Sequence, residues 1–116
     1  MKYKIDNLIL FGGSRLLADF AQFAKKNLPY KLVVFSSKRH LSELIPGSRQ
    51  TLRQILTKSR IQFFDSPDIN QDMNLKRVVN KTSLGIAFGA AWIFERKTAK
   101  IFSKNYLLDQ IGRAHV

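Results

Sequence analysis

Two short apolar runs, Asn7-Leu8-Ile9-Leu10-Phe11 and Lys31-Leu32-Val33-Val34-Phe35-Ser36, constrain this chain more than any other feature. A strand covered on both faces has to read as such a run, because neither face meets water. Between them, Ser14 is placed to cap a helix in which Leu16, Leu17, Phe20, Phe23 and Ala24 recur at helical spacing. Asp19, Gln22, Lys25 and Lys26 fall on its wet side, and Pro29 closes it. The segment is therefore expected to form β-α-β with parallel strands.

The rest of the chain continues the alternation. Lys38-Arg39-His40 falls at the end of the second strand, where open α/β sheets release the loops that bind ligands, and His40 is expected at the surface. Leu41, Leu44 and Ile45 suggest a helical turn ended by Pro46-Gly47, and Thr51 to Leu56 a second helix. Ile61 to Phe64 reads as a third strand. Met73, Leu75, Val78 and Val79 support a short helix before the strongest strand, Leu84 to Phe88. A helix-like stretch from Phe94 to Phe102 precedes Tyr106-Leu107-Leu108, the expected start of a fifth strand. The fold class that follows is α/β: a Rossmann-like open, mostly parallel sheet with helices on both faces, incomplete at its C-terminus.

Composition narrows the chemistry. A chain of 116 residues has room for one domain. No apolar run reaches the roughly 18 residues of a membrane-spanning helix, and the opening Met-Lys-Tyr-Lys-Ile-Asp does not resemble a secretory signal, so no membrane partner and a cytoplasmic location are expected. Without cysteine there is no disulfide, thiol nucleophile or cysteine-held metal, and two histidines make a poor metal site, so no metal is expected. The net charge of +12 suits a polyanionic partner such as RNA, an acidic surface or a phosphorylated ligand, but equally the solvated faces of helices.

The last six residues, Ile111-Gly-Arg-Ala-His-Val116, spell the translation of ATC GGA AGA GCA CAC GTC. Those bases match a common short-read sequencing adapter, AGATCGGAAGAGCACACGTC followed by TGA, whose first two bases also close the Gln110 codon. Residues 110–116 are accordingly read as adapter translation and residues 1–109 as native. His115 then carries no functional weight, and losing Arg113 lowers the charge of +12 by only one.

Gly12-Gly13-Ser14 lies at a strand-to-helix turn, where it either faces an anion with backbone N–H groups or simply makes a tight βα turn. It is neither a dinucleotide fingerprint nor a P-loop. Phe88-Gly89-Ala90-Ala91-Trp92-Ile93 leads a buried strand through small residues into the single tryptophan. Small residues there leave room for a planar heterocycle, with Trp92 either walling the pocket or packing into the core, the commoner fate of a lone aromatic. Asp65 and Asp68 offer paired carboxylates but are read as loop and helix caps. No Gly-x-Ser-x-Gly elbow supports a catalytic triad.

Phe11-Gly12-Gly13, Val33-Val34-Phe35-Ser36 and above all Leu84-Gly-Ile-Ala-Phe-Gly-Ala-Ala-Trp-Ile-Phe94, followed by Tyr106-Leu107-Leu108, resemble the N-terminal domain of the folate-dependent formyltransferases. That family includes methionyl-tRNA formyltransferase, glycinamide ribonucleotide formyltransferase and the sugar N-formyltransferases. The resemblance spans residues 5 to 109 and is distinctive in the last third. It implies a transferase of one-carbon metabolism that moves a formyl group from 10-formyltetrahydrofolate, as co-substrate, to an amine acceptor: methionyl-tRNA, an amino sugar or another small amine. Residues Phe88, Gly89, Ala90, Ala91, Trp92 and Ile93 would border the pterin, mostly through backbone, and Gly12, Gly13 and Ser14 would face the acceptor or its phosphate. The family's Asn, His and later Asp polarise the formyl group and manage protons. Asp109 falls at the Asn position and Ile111 at the His, so no catalytic residue is assigned. The chain itself is expected to be an inactive, marginally folded fragment of such an enzyme. The alternative is a non-catalytic Rossmann-like module that binds nucleotide or RNA.

Overall fold

The computed structural model describes residues 5–102 and the backbone of 107–108. Asp109, Ile111, His115 and the 110–116 segment lie outside the described residues. The chain runs β1 (Asn7–Gly12), α1 (Ser14–Asn27), β2 (Lys31–Ser36), α2 (Lys38–Ser42), α3 (Leu52–Lys58), β3 (Gln62–Asp65), a 3-10 turn (Ile69–Gln71), α4 (Met73–Val78), β4 (Ser83–Phe88), α5 (Arg96–Ala99) and β5 (Leu107–Leu108). All strand pairs are parallel, in the order β3-β2-β1-β4-β5. Chain order therefore steps from β1 outward to β3, then crosses back over β1 to place β4 on its other side. The fold is the open Rossmann-like α/β sheet expected of the sequence, and its topological switch lies between β1 and β4.

Both faces of the central strands are buried, as the apolar runs require. Leu8 and Leu10 of β1 and Val34 of β2 pack with Leu17, Ala21, Leu52 and Leu56 from α1 and α3 on one face. Ile9, Phe11, Val33 and Phe35 pack on the other with Ile69, Leu75, Trp92 and Phe102. Removing each of these larger side chains from water stabilises the fold by roughly 1.5–3 kcal/mol before chain entropy is counted. Phe11 stacks on Phe35 and meets Phe94 edge-on at a centroid distance of 5.0 Å.

The helix α1 buries a different stripe from the one its largest residues mark. Leu17, Ala18, Ala21 and Ala24 face the sheet, whereas Leu16 and Phe23 are 56% and 53% exposed. Three alanines let the helix axis approach the strands closely, which bulkier residues would prevent. Ser14 also departs from expectation: the N-cap is Gly13 with no side-chain cap, and Ser14 takes a positive φ of 76°. The helix nevertheless stops at Asn27, ahead of Pro29.

Later elements keep their order with shifted bounds. Thr51 and Gln54 form a reciprocal capping box on α3. Lys38-Arg39-His40 is helical, with Ser37 as its cap, rather than loop. The stretch from Phe94 to Phe102 is helical only over Arg96–Ala99. Asp68 caps the 3-10 turn through Asn70 N–H at 3.0 Å, and Asp72 caps α4. The Asp65 and Asp68 pair is thus explained at Asp68 by capping, as expected. No helix among the described residues is long and apolar enough to cross a membrane.

Candidate functional site

The carboxyl ends of β1, β2, β3 and β4 are held by a closed ring of hydrogen bonds. Gly13 N–H donates to Phe88 O at 3.1 Å, joining the turn after β1 to the end of β4. Ser36 Oγ donates to Gly12 O at 2.6 Å, and Ser66 N–H donates to Ser36 O at 2.8 Å. Trp92 Nε1 donates to Ser66 O at 3.0 Å and returns the ring to the segment following β4. Two segments seventy-odd positions apart in sequence, Gly12-Gly13-Ser14 and Phe88 to Ile93, are thereby brought together at the switch point.

The glycines in this ring have different tasks. Gly12 has a φ of +117°, and a β-carbon on it would overlap the Phe88 carbonyl. A β-carbon on Gly13 would lie 2.5 Å from His40 Cγ. Both positions are glycine because neighbouring atoms already fill the space. Gly89 is the opposite case: its φ is +59°, it is exposed, and a β-carbon there would meet nothing within 4 Å. Its backbone stands open to any planar group that approaches β4.

Beyond Gly89 the loop is pinned. Ala90 is buried, Ala91 is exposed and Ile93 is 72% exposed, while Trp92 is only 8% exposed and packs with Phe11, Phe35 and Ile69. Of the two roles open to Trp92, the structure gives it that of core anchor. Phe88 turns to the opposite face and packs on Phe20 at 5.5 Å. Asn70, which sequence reading passed over, donates to Ile93 O at 2.9 Å and accepts from Glu95 N–H and Thr98 Oγ1. Nothing in its local sequence marks it, since its three partners lie more than twenty residues downstream.

His40 is buried, 8% exposed, and not at the surface as expected. The α2 turn lays its ring against Gly13, a contact that only a residue without a β-carbon permits. Arg39 Nη2 lies 3.3 Å from His40 Nε2. Guanidinium can only donate, so this contact makes Nε2 an acceptor and leaves the ring proton on Nδ1. Burial first, and then the Arg39 charge, push the His40 pKa below its ordinary 6.5, with Glu43 opposing. His40 Nδ1 and Ser66 Oγ are both buried without a hydrogen-bond partner, and both belong to this carboxyl edge.

The chemistry offered by the described part of the edge is binding chemistry. It consists of the open backbone at Gly89 to Ala91, the first turn of α1 with no side-chain cap or acidic residue, and the exposed Ser14 hydroxyl. Arg15 is drawn sideways to Asp19 at 3.4 Å. Comparison with protein-family models, curated proteins and solved structures found no match to this chain.

Proposed function

We propose that this chain carries the binding half of a folate-dependent formyl transfer, with 10-formyltetrahydrofolate against the Phe88 to Ile93 loop and the amine acceptor against Gly12-Gly13-Ser14. The observation that carries this reading is the contact between those two segments at the switch of the sheet, through Gly13 N–H and Phe88 O at 3.1 Å. Direct transfer requires donor and acceptor within reach of one another, and the β1–β4 pairing brings both segments to the edge where open α/β sheets bind ligands. The open, left-handed Gly89 supports it further, because a pterin is planar and pairs with backbone groups.

A stable formyl-folate analogue, one that cannot give up its formyl group, titrated into the 116-residue chain by calorimetry tests the reading. Saturable binding is expected, and Gly89→Asn is expected to weaken it at least about tenfold. Asparagine tolerates the left-handed conformation better than other side chains, so that variant should remain folded. A cooperatively folded chain that takes up no analogue would sink the proposal.

A further inference from the structure

The opposite edge of the sheet holds a cavity of about 590 Å³, lined among others by Lys25, Tyr30, Lys31, Arg60, Arg77 and Asn80. Among the described residues no acidic one lines it. Lys25, Lys31, Arg60 and Arg77 are exposed, and among the described residues none has an ion-pair partner. They come from four places in the chain: the last turn of α1, the start of β2, the turn after α3 and the last turn of α4.

The reason for this gathering is the topology. With all strands parallel, α1, α3 and α4 all end at the amino edge, and a cation in the last turn of a helix is favoured by its dipole. Lys25 and Lys26, Lys58, and Lys76 and Arg77 occupy those last turns. Five described acids, Glu43, Asp65, Asp68, Asp72 and Glu95, stand after strands or before helices at the carboxyl edge; Asp19 lies within α1, paired with Arg15, and Asp6, held by the Thr82 hydroxyl, stands at the amino edge. Helix dipoles account for α1, α3 and α4 but not for Lys31, which opens a strand, or for Arg60. The latter has a φ of +58°, a conformation in which glycine would sit more easily.

We infer that this cleft binds the phosphodiester backbone of single-stranded RNA. Four exposed cations from four separate segments line a cleft of about 590 Å³, which holds more than a single phosphate. They suit successive phosphates along a strand, with Tyr30 in the wall as a face on which a base can stack. This site is independent of the formyl-transfer reading, which concerns the other edge.

Fluorescence anisotropy with a labelled oligouridylate, at several salt concentrations, tests it on the intact chain. Lys31→Gln and Arg77→Gln are each expected to weaken binding about three- to tenfold and to reduce the slope of log K against log salt by about 0.7. Arg60→Gly removes a charge while relieving a strained backbone, so weaker binding by a protein at least as stable cannot be ascribed to misfolding. Lys100→Gln, at the other edge, is the control of equal charge and is expected to leave affinity within about twofold. The inference is overturned if that control loses as much as the cleft variants, if the cleft variants bind as wild type, or if inorganic phosphate displaces the RNA at equal concentration.

Discussion

The two edges of the sheet are built on different terms. At the carboxyl edge, backbone fills the space: Gly12 against Phe88, Gly13 against His40, and Trp92 bonded to the Ser66 carbonyl. At the amino edge the backbone draws back from a cavity and the side chains around it are long, charged and solvated. Groups in the first region are determined by their neighbours within tenths of an ångström. Those in the second are determined only by sign, so the two should respond oppositely to substitution and to salt.

The sharpest test of that contrast is steric. Gly12→Ala is expected to destabilise the fold by about 2–5 kcal/mol, through strain at positive φ and overlap with a carbonyl that belongs to the sheet. Lys31→Gln at the amino edge should change stability by less than about 0.5 kcal/mol. Urea denaturation midpoints measure both, and equal shifts would erase the distinction. A smaller effect is expected of Trp92→Phe, which keeps most of the apolar contact but leaves the Ser66 carbonyl without its indole donor, at a cost of about 1–3 kcal/mol. If this variant melts with the wild type, the hydrogen-bonded ring contributes nothing to holding the 88–93 loop.

The smallest effect is a dependence on pH. His40 is held below its ordinary 6.5 in the folded chain, so the unfolded chain takes up the proton first as the solution is acidified. The stability due to neutral His40 is therefore complete above about pH 6.5 and declines as pH falls through the folded value. Thermal midpoints measured across that range should fall towards acid in the wild type and fall less in His40→Gln. RNA affinity at the amino edge, where His40 does not stand, should not follow this curve. A wild-type midpoint indifferent to pH would show that the imidazole is not closed off against Gly13.

Legibility in the sequence followed the same division. The strands were readable because a doubly covered strand admits few residue types, and β1, β2 and β4 lie within a residue or so of where their apolar runs place them. The parallel, two-sided architecture followed from their alternation with helices. The stripe that α1 buries was not readable: size alone favours Leu16 and Phe23, whereas close approach to the sheet selects Ala18, Ala21 and Ala24. At the site, Gly12 to Ser14 and Phe88 to Ile93 stand out as motifs, but their mutual contact exists only in the folded chain. His40 lies against the remote backbone of Gly13, and Asn70 bonds to residues 93, 95 and 98, so no local pattern announces either contact. The amino-edge cations were visible only as scattered charge, because no two of the four that line the cleft are adjacent in sequence.

The uneven placing of the acids has a kinetic side. The described bases stand at both ends of the sheet while most of the described acids stand at the carboxyl end, so the excess positive charge lies at the amino end, and such a body experiences a torque in the field of a polyanion and begins to turn before any contact is made. Encounters would then begin disproportionately with the amino edge leading, so productive collisions are a larger share of the total than random tumbling allows. Held in that attitude, the molecule keeps the Gly12 turn and the open backbone at Gly89 pointed away from the surface it has met. Such a chain can be captured on a long nucleic acid without its opposite end being occluded, and small molecules would reach that end as freely as when the protein diffuses alone.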